Sequence, residues 1–139
     1  MPTEPSHLQL EVFRSADQNQ PIKMVNLLKF RSFAEYSEAE PESAERLTGR
    51  DAYGRYAKVA LEKINQNGGA IEFLSPSQQC FVGGDDDDWD QVVIVHYRSR
   101  ADYLKGFDSP EYQSAIRHRI AGLQRRVLIQ CDANKTAPW

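Results

Sequence analysis

The most apolar segments of the chain predict β-strands. Residues 22–30 form nine mostly apolar positions, which is short for a helix and typical of a buried strand. Residues 91–97 are rich in β-branched side chains and apolar on both faces, and residues 126–131 predict the last strand. Two shorter strands are predicted at 70–74 and 79–82, and the Ser-Pro-Ser turn between them makes the pair a candidate hairpin arm.

Helices are predicted where apolar residues recur at spacings of three and four behind a capping residue. Serine or threonine caps begin four such segments: Ser6, Thr48, Ser99 and Ser109. The first helix is short, at 7–15. The helix after Thr48 carries a continuous apolar face and ends at the Asn-Gly-Gly sequence of 67–69. A proline follows Ser109 at the first helical position, and Gly122 ends the last helix.

The order of these elements predicts an α+β domain. Without the N-terminal helix and the hairpin arm, the order is βαββαβ, the ferredoxin-like arrangement, with an antiparallel sheet and two helices on one face. We expect strands 22–30 and 91–97 to be the central pair and to run parallel to each other. Both are apolar on both faces, and helix 7–15 is too short to cover the second face. We therefore expect a homodimer in which another copy covers it.

The chain of 139 residues and 15.9 kDa is expected to form a single domain, since no internal repeat or linker interrupts it. Its irregular parts are an N-terminal helical extension (1–21), a glutamate-rich loop (34–47) and a tail (132–139). The loop is either a solvated connection or a mobile lid over a site. Because its charges repel one another and Pro41 interrupts any helix, we predict that it is the most mobile internal segment.

Composition and charge exclude several classes of protein. A net charge of -3 argues against general nucleic-acid binding. The apolar runs are too short to cross a membrane, and the first residues lack a signal-peptide pattern, so we expect a cytoplasmic protein that binds no membrane. Cys80 and Cys131 have no metal-site spacing and are too few for a disulfide framework. Since the sequence also lacks a glycine-rich cofactor fingerprint, we expect neither a metal nor a cofactor.

The run of four aspartates at 85–88 has two interpretations. It is either a solvated turn or, together with Asp90, a set of oxygen ligands for a divalent cation. Its spacing matches no EF-hand, which favours the turn.

Six ordered segments resemble the DUF1330 family of uncharacterised proteins: residues 24–31, 48–56, 67–69, 89–95, 109–112 and 118–119. The resemblance spans about residues 3–131, and the aspartate run departs from the family's usual loop. It implies the dimeric α+β barrel superfamily, in which two ferredoxin-like sheets face each other. That superfamily includes cofactor-independent monooxygenases, lyases, isomerases and binding modules, and the family itself has no settled reaction.

Asn26 and His96 are polar residues within the two central predicted strands. A buried, unsatisfied amide costs about 1–3 kcal/mol, so Asn26 needs a partner, either a structural hydrogen bond or a ligand in a cavity at the sheet. His96 is either a satisfied strand histidine or an acid–base group. A shift of one residue in the register would place the two side chains on opposite faces, so the sequence leaves their relative placement open.

Three tyrosines lie on the apolar faces of the two longer helices: Tyr53, Tyr56 and Tyr112. Each either packs in the core or donates its phenolic hydrogen to a substrate oxygen.

The last helix adds His118, a second acid–base candidate, and Arg119. Arg119 follows the buried face of this helix, so its guanidinium needs an anion, which is either an internal aspartate or glutamate or a substrate carboxylate. The helical phase predicts that Arg119 reaches a cavity next to the sheet, with Tyr53 or Tyr56 on the opposite wall. The other arginines of this region are interpreted as a solvated basic edge: Arg117, Arg125 and Arg126.

Three functions fit these residues. The first is a cofactor-independent enzyme for a small organic acid or polar-aromatic metabolite, with His96 or His118 as the acid–base group. Arg119 would then bind the anion, and Asn26 with a tyrosine would orient it. The second is a ligand-binding dimer without turnover, and the third is a structural dimerisation module. A fold that is so widely reused does not select among them.

Overall fold

The computed structural model describes residues 3–135, which form four helices and one four-stranded sheet. The helices are α1 (His7–Ser15), α2 (Gly49–Gln66), α3 (Arg100–Phe107) and α4 (Pro110–Gly122). The strands are β1 (Ile22–Phe30), β2 (Ala70–Pro76), β3 (Gln91–Tyr97) and β4 (Leu123–Asp132). Short 3₁₀ turns occur at Pro41–Ala44 and Asp85–Asp87. The last four residues of the predicted tail and the first two of the predicted N-terminal extension lie outside the described residues.

The sheet has the strand order β2-β3-β1-β4, which is that of a ferredoxin-like α+β unit, so the predicted fold class is confirmed. All neighbouring strands are antiparallel. The expectation that β1 and β3 run parallel is therefore wrong. A helical crossover makes β2 parallel to β1, and β3 then returns antiparallel beside β2, so it also opposes β1.

The predicted helix starts are confirmed, because the hydroxyl of each predicted cap accepts a hydrogen bond from a backbone N–H in the first turn. The predicted hairpin arm is absent. Residues 79–82 form no strand, and the outer edge of β2 has no partner strand among the described residues. Phe81 and Val82 are consequently 87% and 88% exposed.

Side chains alternate strictly along β1, so the sheet has one buried and one open face. The odd-numbered positions of β1 lie on the open face, together with Ile94 and Ile129, their partners opposite Val25. No described helix buries this face, and Ile129 is 50% exposed on it. The opposite face carries Asn26 and faces the helices.

The core on the helix side is divided into two clusters. One joins strand residues, such as Leu28 and Val95, to a few helical residues, such as Ile64. The other joins α2 to α4 through Tyr56 and Tyr112. Helices α2 and α4 thus pack chiefly on each other and leave a space above the sheet.

Two glycines allow this close helix contact. Gly49 begins α2 and Gly122 ends α4, and a Cβ atom built on Gly122 would lie 2.5 Å from the carbonyl oxygen of Gly49. The same junction is tied to the end of β1, because the Arg31 N–H donates to the Gly122 carbonyl at 2.8 Å and the Gly49 N–H donates to the Arg31 carbonyl at 3.1 Å. No helix within residues 3–135 is long and apolar enough to cross a membrane.

Substitution of Gly122 tests this junction. Gly122→Ala should lower the free energy of unfolding by about 1–3 kcal/mol, because the new methyl group overlaps backbone atoms that cannot turn away. Gly54→Ala is the matched control: its Cβ would meet nothing within 4 Å in the middle of α2, so it should stabilise the protein by about 0.5–1 kcal/mol. Urea unfolding measures both, and equal effects would contradict the proposed contact.

Candidate functional site

A cavity of about 270 Å³ lies between the helix-facing side of the sheet and helices α2 and α3. Aromatic side chains dominate its walls: Phe30, Tyr53, Tyr56, Tyr97, Tyr103, Phe107 and Tyr112. Asn26 and Arg126 bring an amide and a guanidinium to this aromatic space. The cavity therefore combines an apolar body with a few polar groups, which is the usual composition of a small-molecule site.

The strand register places Asn26 in the cavity and His96 outside it. Asn26 pairs with Val93 on β3, whereas His96 pairs with Lys23 and so lies on the open face. The Asn26 amide nitrogen donates only long hydrogen bonds, of 3.5 Å to the Met24 carbonyl and 3.4 Å to the Val93 carbonyl. Within the described residues its amide oxygen accepts no hydrogen bond. Asn26 thus has a weak structural partner and capacity left for a ligand.

Arg126 is the cation that the sheet contributes to the cavity, whose lining also includes Arg50, Lys63 and the carboxylate of Asp102 on the helices. It pairs with Leu28 across β1 and β4, so its side chain enters the space between sheet and helices. One terminal nitrogen donates to the Thr3 carbonyl at 3.0 Å, while Nε is buried and has no partner among the described residues. No carboxylate among residues 3–135 forms an ion pair with it. The interpretation of Arg126 as part of a solvated basic edge is wrong, because the register turns it inward.

Three tyrosine hydroxyls of the cavity wall have no hydrogen-bond partner among the described residues: Tyr53, Tyr97 and Tyr103. Burial raises the pKa of each phenol, and the nearby charge of Arg126 only partly opposes this effect. The pKa of Tyr103 rises to about 12. These phenols are neutral at physiological pH, so they can donate hydrogen bonds but cannot act as bases.

Arg119 forms a separate, internally satisfied cluster behind this wall. It is 1% exposed, and its Nη1 donates to the hydroxyls of Tyr56 at 3.0 Å and Tyr112 at 2.9 Å. Its Nε and Nη2 donate to the Glu4 carboxylate at 3.1 and 2.6 Å. The buried guanidinium therefore has an internal anion, which is one of the two alternatives that the sequence leaves open.

His118 lies on a different side of α4, against the loop 34–47. Its Nδ1 is 2.7 Å from the Tyr36 hydroxyl, and burial lowers its pKa. The adjacent Arg117 donates to Glu42 of the same loop at 2.7 Å. Neither His118 nor His96 lines the aromatic cavity. The loop is fastened at these points, and its greater mobility stays a prediction.

The aspartate run is held by ion pairs with basic residues. Asp88 pairs with Lys29 at 3.0 Å and with Arg125, whose guanidinium lies 4.8 Å from the centre of the Trp89 ring. No group of three or more potential ligands within residues 3–135 is arranged to hold a metal ion. These contacts favour the turn interpretation.

The contribution of the Arg119 cluster to stability is tested by comparing the buried Arg119–Glu4 pair with the exposed Arg14–Asp108 pair. Arg119→Met should lower the free energy of unfolding by at least ~2 kcal/mol, because it removes hydrogen bonds from two buried phenols and from Glu4. Arg14→Met, which breaks the exposed pair with Asp108, should cost less than ~1 kcal/mol. Chemical denaturation measures both, and a neutral Arg119→Met would show that the cluster does not stabilise the fold.

Comparison with known proteins places this fold in a family. Residues 43–130 match the family described as a domain of unknown function, DUF1330. The chain is similar to a protein of unknown function from Rhodopseudomonas palustris, with 28% sequence identity and a TM-score of 0.84 over 96% of this chain and 97% of that one. No protein with a curated function matches it.

Two more distant structures share the fold alone. A hydroxynitrile lyase from Passiflora edulis is 13% identical, with a TM-score of 0.52 over 86% of this chain and 99% of that one. SnoaB, a cofactor-independent oxygenase from Streptomyces nogalater, is 11% identical, with a TM-score of 0.51 over the same shares. The family match covers more than half of the sequence, and the resemblance drawn from the sequence is confirmed: the chain belongs to the DUF1330 family.

Proposed function

We propose that this member of the DUF1330 family binds a small organic acid in its aromatic cavity, with the ligand carboxylate beside Arg126. The observation that carries the proposal is the state of Arg126. It is a guanidinium with a buried, unpartnered Nε and no ion pair among the described residues, in a wall of aromatic side chains. A carboxylate would supply the missing counter-charge in surroundings of low polarity, where such pairing is strong.

The other polar groups support the same ligand class. Neutral phenols at Tyr53, Tyr97 and Tyr103 are donors that suit carboxylate or carbonyl oxygens. The amide of Asn26 can accept or donate a further bond. The cavity lies below the roughly 300–1,000 Å³ of common ligand sites, so it suits a ligand with about one aromatic ring.

Cofactor-independent turnover of such an acid is a second candidate. The arrangement that favours it is the convergence of Arg126 and neutral phenols on one space, since these groups would stabilise negative charge developing on a bound oxygen. The lyase and the oxygenase of the same fold are consistent with such chemistry but share the fold alone. The positions of His96 and His118 give no support to either as the acid–base group, so the reacting proton would leave the ligand by another route.

We also propose a homodimer formed through the open face of the sheet. Apolar side chains cover this face at Val25, Ile94 and Ile129, and no described element of the chain buries them. A second copy offers the same surface through a two-fold axis.

The exposed free cysteines, Cys80 and Cys131, favour a reducing compartment, and we propose the cytoplasm.

Benzoate tests the cavity. It should raise the melting temperature of the wild type, because a ligand that binds only the folded state stabilises it. Arg126→Gln should weaken this binding by about tenfold or more, which corresponds to the loss of a charge-assisted pair. Arg125→Gln is the matched control, since it removes the preceding arginine, which pairs with Asp88 outside the cavity. Benzamide, which lacks the charge, should bind weakly to all three proteins.

Titration calorimetry measures the dissociation constants of benzoate and benzamide for the wild type and the two variants. Equal benzoate affinity in wild type and Arg126→Gln, or equal affinity for benzoate and benzamide, would contradict the role of Arg126.

The pH dependence of benzoate binding follows from the phenols. With the pKa of Tyr103 near 12, neither the phenols nor the arginine change charge between about pH 6 and about pH 9, so the affinity should stay constant. A phenolate that formed in this range would repel the carboxylate, and affinity would then fall as the pH rises. Titration calorimetry at several pH values distinguishes the two results.

The dimer is tested by one substitution on each side of the molecule. Ile129→Asp, on the open sheet face, should convert the wild-type dimer of twice 15.9 kDa into a monomer. Ile120→Asp is the matched control, because Ile120 is 47% exposed on α4 and Ile129 is 50% exposed. Light scattering measures the mass, and a monomeric wild type would refute the proposal.

A further inference from the structure

A second cavity, the α1 cleft, lies between the N-terminal segment 3–16 and the surface formed by α3, α4 and β4. Its volume is about 660 Å³. Three arginines line it: Arg100, Arg119 and Arg126. Arg126 also lines the aromatic cavity, whereas Arg100 belongs to the α1 cleft alone.

The charges of the α1 cleft do not balance. Among the described lining residues Glu4 is the single carboxylate, and it neutralises Arg119. Two guanidinium groups, those of Arg100 and Arg126, therefore remain without an anion among the described residues. Buried charges are normally paired, so this surplus indicates a ligand that brings negative charge.

Of the two cations, Arg100 is the stronger indication of a negatively charged ligand. It is 8% exposed, and within the part of the chain that the structure describes its terminal nitrogens bond only to neutral oxygen atoms: the Asp17 carbonyl at 2.8 Å and the side chains of Gln20 at 2.6 Å and Gln130 at 2.9 Å. Its Nε is buried and has no partner in the same part of the chain. The guanidinium is thus held in place by neutral groups, and within residues 3–135 no anion balances its charge.

Helix α1 forms an apolar cover, which is attached through the Arg14–Asp108 ion pair and the contact of Phe13 with Tyr103. No residue of α1 is fully buried, and Leu8 and Val12 line the cleft while 68% and 62% exposed. Phe107 and Leu128, which also line the aromatic cavity, form the apolar floor of the cleft. An apolar chain between cover and floor would remove these side chains from water.

We propose that the α1 cleft is a second binding site, which takes a carboxylic acid with an elongated apolar chain. The carboxylate lies beside Arg100, and the chain lies between α1 and the floor of the cleft. The site adjoins the aromatic cavity, with which it shares Met24, Tyr103, Phe107, Arg126 and Leu128, whereas Arg100 and α1 line only the cleft. The ligand class follows from the pairing of an unneutralised cation with an exposed apolar cover.

Octanoate is the probe for this site, and octan-1-ol is its uncharged counterpart. Octanoate should raise the melting temperature of the wild type, and octan-1-ol should do so far less. Arg100→Gln should weaken octanoate binding by about tenfold or more, through the loss of the counter-charge. Leu8→Asp should weaken it similarly, since it places a negative charge on the cover. Because Leu8 is exposed, this second variant should fold even if Arg100→Gln does not.

The comparison with benzoate separates this proposal from the previous one. Leu8→Asp should leave benzoate affinity within about threefold of the wild type, since Leu8 does not line the aromatic cavity. Octanoate binding that depends on Leu8, in a protein that ignores benzoate, would support the α1 cleft and refute the aromatic site. Wild-type protein that does not bind octanoate, that binds octan-1-ol equally well, or whose octanoate affinity is unchanged by Leu8→Asp would refute the cleft.

Discussion

The direct contact between α2 and α4 determines the rest of this structure. At Gly49 and Gly122 the two helices approach so closely that no side chain fits between their backbones. They therefore satisfy much of their apolar surface on each other, through Tyr56 and Tyr112, and only a few of their residues reach the sheet. The aromatic cavity is the space that this division of the core leaves.

The buried arginines near the aromatic cavity determine its chemical character. Arg119 shows how this interior satisfies a buried cation, with two phenols and a carboxylate around one guanidinium. Arg126 and Arg100 lie nearby without any such anion among residues 3–135. The same few elements thus hold one buried arginine that is paired with a carboxylate and two that have no such partner among the described residues. The two arginines without a carboxylate partner line cavities. This contrast is the physical basis for assigning an acidic ligand to the protein.

The fold was largely predictable from local signals. Caps at Thr48 and Ser109, the Asn-Gly-Gly helix end and the apolar strands act within a few residues, so the sequence contains them directly. The direction of β3 follows from the helical crossover between β1 and β2 and from its pairing with both strands, which is a property of the assembled sheet.

The candidate site was predictable only in part. The helical phase correctly predicted that Arg119 is buried, but its partner Glu4 lies 115 positions earlier in the chain, where no local pattern connects the two. Arg126 shows the other difficulty. A strand places successive side chains on opposite faces, so only the register with Leu28 shows that Arg126 turns inward while Arg125 turns outward. The one sequence signal for the inward placement of Arg126 was a cationic residue among the apolar residues of β4.

The most direct test of the account is a crystal structure of the protein soaked with 4-bromobenzoate. Anomalous scattering locates the bromine atom independently of any assumption about the site. The account predicts a bromine peak among the aromatic side chains of the cavity, with the carboxylate within hydrogen-bonding distance of Arg126. A cavity without the acid, or an acid bound there with its carboxylate turned away from Arg126, would contradict it.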